Sequence, residues 1–157
     1  MVNGEFIYPL GGVVSDKFIV SEGYTNSYGQ GNDYGAIFFS EDHFSETIKS
    51  YFYLHQVNEE EKRFSAYIAG YPDSCLLGDM SISHLKYAEV IADINNLELK
   101  HNYNPEGGQS GMPIWIEKDG KYYVIGINDS DCGHPQVKLT DHVIVELNNW
   151  IEISNSQ

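Results

Sequence analysis

The 157-residue sequence has few basic residues, few cysteines and no long apolar run. Its 9 Lys and Arg residues stand against 23 Asp and Glu residues, and the net charge of −14 repels the phosphates of nucleic acids and acidic lipids. A membrane-spanning helix needs about 18 consecutive apolar residues, and no segment comes near that length. We therefore expect a folded chain whose partners include neither nucleic acid nor a membrane.

The two cysteines, Cys75 and Cys132, are too few for a disulfide framework. The sequence leaves open whether they bond to each other or remain thiols. Residues 1–10 contain neither a positively charged start nor a continuous apolar stretch, so no signal peptide is visible in them. The cellular compartment stays undecided on these grounds.

Aromatic residues and glycine are abundant, with 12 Tyr, 7 Phe, 2 Trp and 15 Gly. Aromatic side chains favour pleated, half-buried strands, and glycines favour the turns between them, so the composition predicts an all-β fold. The clearest hairpin contains Lys118-Asp119-Gly120, because Asp-Gly readily adopts the positive φ angles of a tight turn. Seven short runs are predicted as strands: Lys17 to Val20, Gly35 to Phe39, Phe64 to Ala69, His84 to Ile91, Met112 to Ile116, Tyr122 to Ile127 and Gln136 to Leu139.

One segment near the C-terminus has helical periodicity instead. Thr140 and Asp141 are suited to cap a first helical turn, and Val143, Leu147 and Trp150 follow at helical spacing. We predict an amphipathic helix over residues 140–153. No repeat, low-complexity tract or long linker divides the chain, so a single domain is predicted.

A glycine-dense turn at residues 105–113 carries the strongest local signal for chemistry. It presents one hydroxyl, that of Ser110, between glycines and runs directly into an apolar strand. Tightly turned backbone amides can donate hydrogen bonds to the negative charge that develops on a carbonyl oxygen under attack. A phosphate-binding loop is disfavoured because no lysine follows the serine and no long helix starts there. Many such turns have no chemical role, so the context of this one matters.

Four motifs follow one another along the chain. They are Tyr8-Pro9 with Gly11-Gly12; Gly31-Asn32-Asp33-Tyr34-Gly35-Ala36-Ile37-Phe38-Phe39; Gly70-Tyr71-Pro72; and Ser110-Gly111-Met112-Pro113-Ile114-Trp115, the last followed by the hairpin and Val124-Ile125-Gly126-Ile127. In this order they resemble a chymotrypsin-like (trypsin-like) serine protease, closest to the glutamyl endopeptidase branch. The resemblance implies a trypsin-like double β-barrel within one domain. Residues 1–55 would be the remnant of an incomplete N-terminal barrel, residues 56–139 the C-terminal barrel, and residues 140–153 the C-terminal helix.

The same resemblance assigns roles to individual residues. Ser110 would be the nucleophile, and Asp33 would be the carboxylate that orients the base. The backbone N–H groups of Gly108 and Ser110 would form the oxyanion hole. An aspartate before a strand is also a common turn residue, which is the structural alternative for Asp33. The substrate-binding positions implied by the resemblance are Pro105, Gly126, Ile127 and Asn128.

The base histidine is missing from its expected place. The family carries it before its aspartate, and none of the 32 residues ahead of Asp33 is a histidine. The six histidines stand at positions 43, 55, 84, 101, 134 and 142, and His101 or His134 would have to reach Ser110 from another strand. The resemblance implies a serine-type endopeptidase that hydrolyses peptide bonds through an acyl-enzyme at Ser110. Because a serine hydroxyl is a poor nucleophile without a base, we expect this chain to lack peptidase activity.

The specificity also departs from the branch that the motifs resemble. That branch holds the glutamate of its substrate with a histidine and a threonine, and Asn128 and Pro105 stand at those places here. Asp129 and Asp131 lie nearby and repel an acidic side chain, so a glutamate preference is not expected. The expected partner is a protein or peptide substrate in extended conformation. Membership of the family would also imply a secreted protein.

Two other functions stay open. A non-catalytic protease homologue would bind a peptide or protein in its cleft without cutting it, and the missing histidine favours this alternative. An acidic β-sandwich that binds carbohydrate through exposed tyrosines is suggested by composition alone. No cofactor is expected, and no metal is predicted, because Cys132 and His134 lack a second pair of ligands.

Overall fold

The computed structural model describes residues 11–15, 17–27, 31–39, 48–57, 63–71, 86–92, 98–101, 107–129 and 136–155. These residues form mostly β-sheet, which is compatible with the predicted all-β class, and end in one long helix. The elements in chain order are β1 (Lys17–Val20), α1 (Glu22–Ser27), β2 (Gly35–Phe38), β3 (Tyr53–Leu54), β4 (Arg63–Ile68), β5 (Lys86–Ala92), β6 (Glu98–His101), β7 (Pro113–Lys118), β8 (Lys121–Ile127), β9 (Gln136–Lys138) and α2 (Asp141–Asn155).

The seven predicted strands are confirmed as β1, β2, β4, β5, β7, β8 and β9, with ends that differ from the prediction by at most two residues. Three elements were not predicted, namely α1, β3 and β6. Helix α1 has only six residues of turn-like composition, and Ser21 caps it by accepting a hydrogen bond from the N–H of Gly23 at 3.2 Å. Strand β3 has only two residues, too few to show a period.

Strands β1 and β2 form an antiparallel sheet of two strands near the start of the chain. Phe18 lies opposite Ile37 in the register, and both are largely exposed, at 75% and 66%. Ile19, Ala36 and Phe38 lie on the other face and pack into the core. The sheet therefore has one packed face and one apolar face that is open.

The other strands form a seven-stranded sheet in the order β3-β8-β7-β4-β5-β6-β9. Strand β9 pairs with β6 on one side and with β8 on the other. The ladder that starts at β8 and passes through β7, β4, β5 and β6 therefore returns to β8 through β9. Strand β3 pairs in parallel with β8, which places residues 53–54 in this larger sheet.

The predicted hairpin between β7 and β8 is confirmed. Lys118 pairs with Lys121, and the two residues between them, Asp119 and Gly120, have φ angles of +53° and +70°. Positive φ at both central residues is the requirement of a type I′ turn, whose twist matches that of the strands. The Asp-Gly pair sets the register as far as Trp115 opposite Val124. An irregularity between Ile114 and Trp115 then shifts it, so that Ile114 lies opposite Gly126.

Helix α2 joins the two sheets through a shared core. Thr140 caps it, since its carbonyl accepts from the N–H of Ile144 at 2.9 Å and its hydroxyl lies 3.4 Å from the N–H of Val143. Val143 and Trp150 are buried with Tyr34, and the cluster includes residues of β1, β2, β8 and β9. The described helices include none that is long and apolar enough to cross a membrane.

Candidate active site

A cavity of about 580 Å³ lies between the β1–β2 sheet and the end of β8. Ser110 and Asp33, which are far apart in the sequence, both line it. Apolar side chains supply much of its wall, among them the exposed register partners Phe18 and Ile37. The two residues with predicted chemical roles therefore line one open cavity.

The turn that carries Ser110 is fixed by two glycines and by Asn128. Gly108 and Gly111 have φ angles of +85° and +80°, the left-handed region that glycine adopts without strain. The N–H of Gly111 donates to the carbonyl of Asn128 at 2.8 Å, and the N–H of Asn128 donates to the carbonyl of Met112 at 2.9 Å. The side-chain Nδ2 of Asn128 donates to the carbonyl of Gln109 at 3.1 Å. Asn128, only 2% exposed, therefore holds the turn on both sides of the serine.

Two backbone amides of this turn have no acceptor among the described residues. Within the described residues, the N–H groups of Gly108 and Ser110 donate no hydrogen bond, and the Ser110 hydroxyl makes none. Both residues are exposed at the surface. The amides that the resemblance assigns to the oxyanion hole are therefore left without an acceptor by the described part of the chain.

Asp33 lies immediately before Tyr34 and β2, and its carboxyl group has a second carboxyl beside it. Desolvation by partial burial is the main cause that raises the pKa of Asp33 above 3.8, and the charge of Asp129 together with a hydrogen bond to it raises this pKa further. Asp129 lines the same cavity. The cavity therefore contains a second carboxyl group next to Asp33, a pairing that the sequence did not predict.

The residues predicted to bind substrate are spread over different environments. Ile127 and Asn128 line the cavity, but Gly126 does not. Gly126 is buried, and a Cβ added there would lie 2.5 Å from Leu99 Cδ1 and 2.8 Å from the carbonyl oxygen of Val137. Pro105 lies outside the described residues.

Histidine is not found among the residues that line the described cavity. His55 follows β3 and places its ring 5.5 Å from that of Tyr123, and His142 is exposed on α2. His101 is the last residue of β6, while His43, His84 and His134 lie outside the described residues.

Cys75 and Cys132 also lie outside the described residues. Over the described part of the chain, no group of three or more His, Cys, Asp or Glu residues is arranged to hold a metal ion.

Sequence reasoning missed two features of the site. From the sequence, Asp129 is expected only to repel acidic substrates, and no spacing in the sequence indicates that it meets Asp33. The open face of the β1–β2 sheet was also not predicted as a cavity wall. The sequence does contain an indication of this open apolar face. Phe18 and Val20 alternate with the inward Ile19, so apolar residues occupy both faces of one strand.

The chain matches no protein-family model, and no curated protein matches it either.

Proposed function

We propose that this chain is a serine-endopeptidase domain of the trypsin-like class, with Ser110 as nucleophile and Asp33 as the orienting carboxylate. The observation that carries the proposal is that these two residues line one cavity. In the reaction, the Ser110 oxygen attacks the carbonyl carbon of a peptide bond and gives its proton to a base. The amine leaves with a proton, and water then hydrolyses the acyl-enzyme ester.

The unused amides of Gly108 and Ser110 support this reaction class. A tetrahedral intermediate carries negative charge on the former carbonyl oxygen, and backbone donors fixed in place stabilise it without reorganising. Asn128 keeps those donors in place through its hydrogen bonds to the serine turn.

The strand pairings support the proposed scaffold. The ring of pairings from β8 through β7, β4, β5, β6 and β9 is what we expect of the C-terminal barrel of a trypsin-like double barrel. The two-stranded β1–β2 sheet, with one apolar face open, is what we expect of a remnant of the N-terminal barrel. Helix α2 packs against residues of both sheets through one shared core cluster.

In the proposed function the 157-residue chain does not cleave peptide bonds unaided, because no imidazole lines the described cavity. This makes chemical rescue the sharpest test. The chain is treated with a fluorophosphonate probe, with and without free imidazole, and the modified residue is identified by mass spectrometry. We expect imidazole to accelerate labelling of Ser110 and Ser110→Ala to abolish it.

The matched control is Ser50→Ala, because Ser50 is exposed and does not line the cavity. It should label like the unmodified chain. Labelling that survives Ser110→Ala, or no labelling of Ser110 at any imidazole concentration, would contradict the proposed nucleophile. Cleavage of casein without imidazole, lost in Ser110→Ala, would overturn the proposed lack of unaided activity.

A second candidate is capture of an extended peptide without cleavage, and the histidine-free, apolar lining of the cavity favours it. Fluorescein-labelled casein, followed by fluorescence anisotropy, is the probe. Capture predicts binding that survives Ser110→Ala and is weakened by Ile37→Glu in the cavity wall. Val145→Glu is the control, since Val145 is similarly exposed, at 57% against 66%, but lies on α2 away from the cavity. Equal loss in both glutamate variants would indicate a charge effect and contradict capture in the cavity.

A further inference from the structure

Tyr34, the residue directly after Asp33, is buried at 4% exposure and contacts helix α2. Its hydroxyl donates a hydrogen bond to Oε2 of Glu146. Its ring lies 5.9 Å from the ring of Trp150, tilted by 31°. Two residues on one face of α2 therefore hold the side chain that adjoins the acidic residue of the site.

The backbone around Tyr34 is fixed as well. Its carbonyl accepts from the N–H of Ser21 at 3.0 Å, and its N–H donates to the carbonyl of Asn32 at 2.9 Å. Ser21 is 1% exposed, and its side chain also hydrogen-bonds to the Tyr34 hydroxyl. The side chain and the main chain of Tyr34 are thus both held, on one side by α2 and on the other by the segment between β1 and α1.

The donor side of this contact, the Tyr34 hydroxyl, is fixed by its surroundings. Burial first, and then the hydrogen bond to Glu146, raise the pKa of Tyr34 to about 12, although the Ser21 hydrogen bond acts in the opposite direction. The phenol therefore keeps its proton and remains a donor to Glu146. A permanent donor suits a structural tether between α2 and the cavity.

Asp33 itself is exposed, and the buried Tyr34 is its neighbour toward β2. A carboxyl group that is not packed keeps a defined direction only if the adjacent backbone is held. The main chain at residues 32–34 is held by the hydrogen bonds of Tyr34 and by its packing on Trp150. Removing the phenol hydroxyl should loosen this segment without creating a large cavity.

We propose that Tyr34 is a positioning residue, which with Glu146 and Trp150 anchors the Asp33 carboxyl at the cavity from helix α2. The chemical role of Asp33 in the cavity rests on the proposed function. The position at which its carboxyl group is held does not. The tether also assigns α2 a direct part in the geometry of the site, in addition to its part in the core.

The test combines two readouts on the full chain. The first is an NMR titration of the Asp33 side-chain carbonyl carbon, which reports on the surroundings of the carboxyl group. In Tyr34→Phe and Glu146→Ala we expect the pKa of Asp33 to fall toward 3.8, because the carboxyl moves into water and away from Asp129. Glu146→Gln keeps an oxygen that accepts the phenol hydrogen bond, so it should restore the raised pKa.

The second readout is imidazole-assisted labelling of Ser110, which should slow by about tenfold or more in Tyr34→Phe, because small displacements in a site cost that much in rate. Tyr122→Phe is the matched control for the lost hydroxyl, and Glu152→Ala is the control for the lost helix charge. Both should resemble the unmodified chain in the two readouts.

An Asp33 titration that is unchanged in Tyr34→Phe and Glu146→Ala would overturn the positioning role, even if both variants melt at lower temperature. If the unmodified chain shows no labelling of Ser110, the proposed function fails while the Asp33 titration still decides the role of Tyr34.

Discussion

The backbone N–H of Gly111 donates a 2.8 Å hydrogen bond to the carbonyl oxygen of Asn128, which joins the serine turn to the end of β8. Asn128 completes the connection with its own N–H to Met112 and its side-chain amide to Gln109. Residues on each side of Ser110 are thus bonded to one buried asparagine. The orientation of Ser110 depends on this asparagine as much as on the glycines of the turn.

Asn128→Ala should destabilise the chain and loosen the serine turn. The substitution removes the donor to the Gln109 carbonyl in a buried place, and a lost hydrogen bond of this kind costs about 1–3 kcal/mol. The free energy of unfolding in urea measures the effect. Asn148→Ala is the matched control, because Asn148 is exposed on α2 and alanine is a better helix former there. Equal stability of the two variants would show that the Asn128 side chain does not hold the turn.

Gly126→Ala should destabilise the chain by about 1–3 kcal/mol, because it forces a methyl group into a packed core. The added carbon would lie 2.5 Å from Leu99 Cδ1 and 2.8 Å from the Val137 carbonyl, and the backbone oxygen cannot move without disturbing β9. Urea denaturation measures this change. Gly12→Ala is the control, since nothing lies within 4 Å of a Cβ there. A neutral Gly126→Ala would mean that β6 and β9 pack less closely on β8 than the structure shows.

Local backbone chemistry predicted much of the fold. Asp119 and Gly120 identified the hairpin because their φ angles suit few other residues, and Thr140 identified the start of α2 because its oxygens satisfy the first amides of the helix. These are interactions between near neighbours in the chain, so their signal is present in a short window of sequence. Short runs rich in aromatic and aliphatic residues located the longer strands for the same reason.

The site was less predictable because it depends on contacts between distant segments. Asp129 meets Asp33 only when the loop after β8 packs beside the loop before β2, and neither loop has a periodic pattern that indicates this. Gly126 was assigned to substrate binding by resemblance. In the structure it faces Leu99 of β6, a strand that was itself not predicted, so its surroundings could not be inferred. Tyr34 and Glu146 meet across 112 positions of the chain.

Gly120→Ala should destabilise the chain by about 1–2 kcal/mol, because alanine is strained at the left-handed backbone conformation. Gly120 has φ of +70°, and nothing lies within 4 Å of its missing Cβ, so the cost is one of backbone conformation and not of space. Thermal unfolding followed by circular dichroism measures it. Asp119→Asn is the control at the adjacent position, since asparagine also tolerates positive φ. If Asp119→Asn lost as much stability as Gly120→Ala, the cause would be a lost charge interaction at the turn. Backbone strain at Gly120 would then not explain the result.

Asp129→Asn should lower the pKa of Asp33, because it removes a negative charge and replaces a carboxyl partner with a neutral amide. A carboxyl group whose pKa is raised by folding binds more protons in the folded than in the unfolded state between pH 3.8 and its raised value. The free energy of unfolding therefore falls as the pH rises through that window, and Asp129→Asn should flatten this fall.

Urea denaturation at a series of pH values measures the slope, and NMR titration measures the pKa directly. Asp119→Asn removes an equal charge at the far hairpin and should leave the Asp33 titration as it is. An Asp33 pKa that stays raised in Asp129→Asn would show that burial sets it and that Asp129 does not act on it.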